Sequence, residues 1–275
     1  MQSVDTHKTH VELIQSETER VKQYINALPP EALERPSPCD KWNVGEVIAH
    51  LEWFAEIYGG MMERGLRGDL SPTEGFPAVP GTLSGPALEE LYAHGAIERR
   101  RRLGGNLFVA FNERYDWLND MLKGIGPEDW DKPCYHTLRI RSVESFIPTI
   151  VTELAVHEWD IRSTLEDSPS ISVSSIPILV DRIPVRTRPW AVAFPDTSDS
   201  QGPIRYSFEL TGVGARTLDL VVEDNKARLA HDGEDLASVS VSCDMGTFVL
   251  LMWDRMSLDS ADSSGRLSQR AIKGK

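Results

Sequence analysis

Glu153-Leu154-Ala155-Val156-His157-Glu158-Trp159-Asp160 is the stretch on which the reading of this chain turns. Glu153 and His157 are spaced i, i+4, so on a helix they stack on one face. The residues between them are apolar, which points to a helix packed inside a bundle. A carboxylate in such an interior needs a partner, because a lone buried charge is costly. On spacing alone, the commoner partner is the histidine itself, as an ion pair or hydrogen bond. A divalent metal is the other, since bundle cores build metal sites from Glu and His on facing helices. His50, in Val47-Ile48-Ala49-His50-Leu51, offers a third ligand from a second helix, although a single histidine on an apolar face is more often a satisfied core residue. Two histidines and one glutamate suit zinc with one position left open, and the same set could hold Fe(II) or Ni(II). His7 and His10 sit in the polar N-terminus, and His94, His136 and His231 are not read as ligands.

Helical periodicity extends outward on the N-terminal side. Val11, Ile14, Val21, Tyr24, Ile25 and Leu28 mark a first helix, ended by Pro29-Pro30. Pro36 and Pro38 make Glu34–Asp40 a loop. Asn43 then stands as N-cap of a second helix, with Glu46 as its capping-box partner. That helix carries Val47, Ile48, His50, Leu51, Phe54, Ile57 and Tyr58. Gly65–Gly85 reads as a long loop, and Pro86 opens a third helix running to about Leu122 with an interruption at Gly104-Gly105. Its run Glu98-Arg99-Arg100-Arg101-Arg102 reads as a solvated face. After a connection over Gly124–Arg141, a fourth helix starts near Ser142 and holds the opening stretch.

The character changes beyond Arg162. Glu166–Ser175 is polar and serine-rich, a linker. Ile176–Trp190 is apolar but broken by Pro177, Pro184 and Pro189, and stays ambiguous. Ile204–Leu210, Leu218–Val222, Ala227–Ala230 and Val239–Cys243 read as strands, and Met245–Met256 returns to helical spacing. The 275 residues therefore divide into a helical part and a small α+β part, in keeping with ~150 residues per domain. The formal charge of −13 argues against a general binder of nucleic acid or anionic membrane. Cys39, Cys134 and Cys243 are too scattered for a disulfide framework or a CxxC metal site. No signal peptide and no run of ~18 apolar residues is visible, so a cytoplasmic protein is expected.

Pro38-Cys39-Asp40-Lys41-Trp42-Asn43-Val44-Gly45-Glu46-Val47-Ile48-Ala49-His50-Leu51 resembles the start of the mycothiol-dependent maleylpyruvate isomerase family, in which a Trp precedes the helix and an AHL-type ending carries the first metal ligand. The E-x-x-x-H-x-W-D of Glu153–Asp160 resembles the motif carrying the other two. Val241–Gly265, with Leu250-Leu251-Met252-Trp253-Asp254-Arg255, resembles the family's small sterol-carrier-like domain. The resemblance implies a DinB-like metal-binding four-helix bundle over 1–166, followed by a small α+β domain over 176–275. It implies one zinc held by His50, Glu153 and His157, and an assisting catalytic arginine best matched by Arg255. Two positions depart from the pattern: Thr152 stands where the isomerase has arginine, and Asp254-Arg255 stands where relatives have Gly-Arg.

The implied chemistry uses a low-molecular-weight thiol such as mycothiol. Zinc makes a bound thiol a thiolate at neutral pH. The thiolate adds to a conjugated double bond of a small electrophilic acid; rotation and elimination isomerise it, and without elimination the outcome is S-transfer. Arg255 would bind a substrate carboxylate. Cys39 is not required as a nucleophile and reads as a small loop or core residue. Two alternatives remain at this level: a metal-dependent hydrolase with Glu158 or Asp160 as base, and a non-catalytic metal-binding or regulatory protein.

Overall fold

The computed structural model describes residues 2–83, 85–183, 203–212, 214–223, 226–230 and 238–272. They form two compact units, 1–169 and 170–275.

The first unit is helical. Its helices are α1 (Gln2–Asn26), α2 (Val44–Leu66), α3 (Pro86–Leu103), α4 (Leu107–Lys123) and α5 (Ile147–Arg162). α1 packs on α4 and α5, and α2 packs on the same two, which closes a four-helix bundle; α3 lies along α2. The helix expected over 86–122 is thus two helices, broken where Gly104 takes φ +51 and a short 3₁₀ turn follows. α1 begins well before the apolar pattern that revealed it. Buried His7 stacks on Trp130 at 4.5 Å, a contact that hydrophobic periodicity does not register.

α2 begins as its sequence dictates. Asn43 Oδ1 accepts the Glu46 N–H at 2.9 Å, and Glu46 Oε2 accepts the Asn43 N–H at 2.7 Å. Both flanks of α2 need glycine: a Cβ on Gly59 would run into the Trp117 ring of α4, and one on α3's Gly95 into the Trp53 ring of α2. α5 opens with Pro148 in its first turn, after a 3₁₀ turn at Glu144–Phe146. Before it, β1 (Pro133–Cys134) and β2 (Arg141–Ser142) form a two-stranded ladder too short to leave a sequence signature.

The second unit is α+β. The ambiguous stretch after Ser175 folds as α6 (Ile176–Arg182); its part from 184 to 190 lies outside the described residues. β3 (Ile204–Thr211), β4 (Arg216–Glu223), β5 (Lys226–Leu229), β6 (Ser238–Asp244) and β7 (Leu267–Ile272) form one sheet in the order β5-β4-β3-β6-β7. Among the described residues, only the central β3–β6 pair is parallel. Tyr206, Phe208 and Leu210 alternate into the core, and Phe208 meets Phe248 of α7 (Met245–Met252) at 4.8 Å. Asp244 caps α7 by accepting the Thr247 N–H at 3.0 Å. α8 (Leu258–Ser263) and β7 were not anticipated; their polar serine-rich sequence carries almost no periodic signal. No helix among the described residues is long and apolar enough to cross a membrane.

Candidate metal centre

The packing of α2 against α5 brings together the three residues singled out in the sequence. His50 Nε2 lies 3.1 Å from Glu153 Oε2, and His157 Nε2 lies 3.2 Å from the same oxygen. The three donor atoms fall within 4.8 Å of one another. The histidine rings meet edge-on with centroids 4.8 Å apart. His50 and His157 are buried, while Glu153 is a quarter exposed at its side chain, so the cluster is open on the carboxylate side. Trp42 stacks on His50 at 4.7 Å and donates its Nε1–H to Ala93 O at 3.1 Å, pinning the pre-α2 loop to α3.

The electrostatics of the cluster follow from burial and hydrogen bonding. Burial holds His50 below the usual imidazole range, so it is neutral at pH 7. Burial works to raise the Glu153 carboxyl, but hydrogen bonds from His157 and His50 outweigh it and hold the group ionised. Burial works to lower His157, and its bonds to Asp160, Cys39 and Glu153 reverse that and raise it well above the ordinary value.

These residues fit a zinc-type cation. An edge of a tetrahedron with bonds of 2.0–2.1 Å is about 3.3 Å, close to the separations of Glu153 Oε2 from the two Nε2 atoms. The carboxylate supplies one negative charge, and His50 supplies a neutral ring. His50 Nδ1 is buried without a hydrogen-bond partner, so nothing on that side commits the ring's tautomer.

The other carboxylates of the opening stretch face elsewhere. Glu158 is buried and paired with Arg20 and Arg162. Asp160 is fully buried and sits at His157 Nδ1, on the far side of the ring from Glu153. Cys39, read from the sequence as a small loop or core residue, is half-buried and contacts both Asp160 and His157. The i+3 spacing of Asp160 from His157 was legible; the approach of Cys39 from another element was not. Thr152, at the departure from the family pattern, is buried and donates to Pro148 O at 2.7 Å within α5.

Arg255 belongs to the second unit, in the turn that ends α7. Asp254 takes φ +57 there, while the Arg255 N–H reaches Leu250 O at 2.9 Å and the Asp254 N–H reaches Leu251 O at 3.2 Å, a Schellman-type closure. Asp254, one of the two departures from the resemblance, is thus the left-handed residue. Arg255 Nη1 donates to Trp253 O at 3.1 Å, and the residue is partly exposed.

Fold and cluster together describe a helical-bundle protein with a candidate metal centre, joined to an α+β unit. Residues 14–162 match the family model described as the mycothiol maleylpyruvate isomerase N-terminal domain, and the chain belongs to that family. A crystal structure of the mycothiol-dependent maleylpyruvate isomerase superposes with a TM-score of 0.63 at 13% identity, covering 98% of this chain and 95% of that one. A histidine-to-alanine mutant of that enzyme matches with a TM-score of 0.62 at the same identity and coverage. At that identity the likeness shows a shared fold. No protein with a curated description matches the chain.

Proposed function

We propose that the chain is a metal-dependent enzyme that uses a low-molecular-weight thiol of the mycothiol type to isomerise a small electrophilic acid, or to join the thiol to it as a thioether (S-transfer). The observation that carries this reading is the convergence of His50 Nε2, His157 Nε2 and Glu153 Oε2 between facing helices of the family-matching region. His50, Glu153 and His157 would hold zinc, which when bound lowers the pKa of a coordinated thiol. Glu153 supplies the negative charge and the open side of the cluster. Trp42 covers the His50 ring and holds its orientation. Arg255 is assigned to a substrate carboxylate, as a bidentate donor.

The hydrolytic alternative finds little support, because both carboxylates suggested as its base are buried and engaged by Arg20 and Arg162 or by His157. The test is turnover of maleylpyruvate and a panel of conjugated electrophilic acids by zinc-loaded protein, with and without mycothiol. Thiol-dependent turnover, lost in Glu153→Gln, is expected. Turnover without thiol would favour hydrolysis, and bound zinc with no turnover would favour a binding protein.

A further inference from the structure

Asp160 lies one helical turn after His157 on α5 and has no exposed surface. Its Oδ2 lies 2.8 Å from His157 Nδ1, hydrogen-bond distance. The same oxygen accepts the thiol of Cys39 at 3.2 Å, and Cys39 Sγ stands 4.0 Å from that Nδ1. Cys39 arrives from the loop before α2, and that loop is tied to itself. The Cys39 N–H donates to Ser37 Oγ at 3.1 Å, Ser37 Oγ donates to Trp42 O at 2.8 Å, and the Trp42 N–H donates to Cys39 O at 2.7 Å. One short loop therefore touches both histidines, Trp42 on the His50 ring and Cys39 behind His157.

Cys39, His157 and Asp160 also have the makings of a second metal group, with ligand atoms within 4.8 Å of one another. The geometry favours hydrogen bonding instead. The Nδ1–Oδ2 separation is that of an ordinary N–H···O bond. A cation at Nδ1 together with one at Nε2 would strip both ring protons from His157, whereas a neutral imidazole keeps one.

We propose that Asp160 is a positioning residue for His157: it keeps a ring proton on Nδ1 and aims the Nε2 edge of the ring at Glu153 and His50, while the Cys39 thiol holds the Asp160 carboxylate in register. The inference rests on the proposed metal centre for its consequence, but its geometry stands without a metal. A carboxylate behind a ligating histidine orients the ring and raises its basicity, and losing it typically costs about 10–100-fold in metal affinity. A thiol is a weak donor, so the share of Cys39 is smaller and a hydroxyl replaces it.

The test is the zinc affinity of the full chain, by competition with a chromophoric chelator, for the parent, Asp160→Asn, Cys39→Ala and Cys39→Ser. Asp160→Asn keeps the side-chain shape and removes the charge. One zinc per chain is expected throughout, bound about 10–100-fold more weakly in Asp160→Asn. Cys39→Ala should show a smaller loss that Cys39→Ser restores, with thermal unfolding of the metal-free proteins unchanged. Nitrogen-15 NMR of labelled histidines in the metal-free parent should show the His157 Nδ1 proton held in a hydrogen bond, and its resonance shifted in Asp160→Asn. Zinc affinity of Asp160→Asn within twofold of the parent, or a bare Nδ1 on His157 in the parent, would overturn the proposal. So would two zincs per chain with one lost in Cys39→Ala, which would mark a second metal site. Should Asp160→Asn not fold, the cysteine pair and the parent spectrum decide alone. Should the parent take up no zinc, the metal-centre reading fails, and the Nδ1 proton alone decides the positioning role.

Discussion

His136 shows how one buried side chain ties the bundle to pH. It is 5% exposed, its Nδ1 accepts the Leu138 N–H at 3.1 Å, and its Nε2 faces Tyr58 Oη at 3.3 Å. Burial, with Arg141 and Arg139 nearby, pushes its pKa down to about 4. The folded protein therefore keeps the ring neutral where the unfolded chain, with a value near 6.5, takes up a proton. Between those two values the unfolded state binds more protons, so stability falls as pH falls from about 6.5 to about 4, by about 3 kcal/mol for this one group. Denaturant unfolding of the parent and of His136→Asn at pH 7 and pH 4.5 checks this. The parent should lose more stability over that interval than the variant, and equal losses would remove His136 from the account. The same scale shows where sequence reading stopped. The stacking of Glu153 and His157 was legible from their i, i+4 spacing and the choice of His50 rested on the family resemblance, whereas Cys39 meets Asp160 only because two elements pack together.

At the scale of elements, legibility follows the strength of the local signal. α2 was readable from its first residue, because Asn43 and Glu46 satisfy the free amides of its opening turn. The break between α3 and α4 was signalled by paired glycines, and Gly104 supplies the left-handed residue that makes it. The early turns of α1, the two-residue strands and the serine-rich end of the chain were not readable, since they lack a repeating apolar face or are too short for one. The end of α7 offers a test of local strain. Asp254 takes a left-handed conformation that glycine adopts without the Cβ penalty. Asp254→Gly should therefore stabilise the protein by about 0.5–1 kcal/mol, the left-handed penalty of about 1–2 kcal/mol less the extra chain entropy that glycine loses on folding, read as a rise in the denaturation midpoint, with zinc content unchanged. A loss of stability would mean that the aspartate side chain contributes more than its backbone strain costs.

At the scale of the whole molecule, the two units divide the proposed work. All three proposed ligands lie in the unit 1–169, and Arg255 lies in the unit 170–275. Arg255→Leu should accordingly leave bound zinc unchanged and lower kcat/KM for a carboxylate substrate by at least about tenfold, the loss of a charge-assisted hydrogen bond. Steady-state kinetics beside metal analysis separates that outcome from a loss of fold, and unchanged kinetics would withdraw the arginine from the mechanism. The most direct test of the proposed metal centre is the metal content of zinc-reconstituted protein beside His50→Ala, His157→Ala and His94→Ala. The proposed metal centre should hold about one zinc per chain in the parent and in His94→Ala, and little in the other two. Equal zinc in all four proteins, or none in the parent, would contradict it.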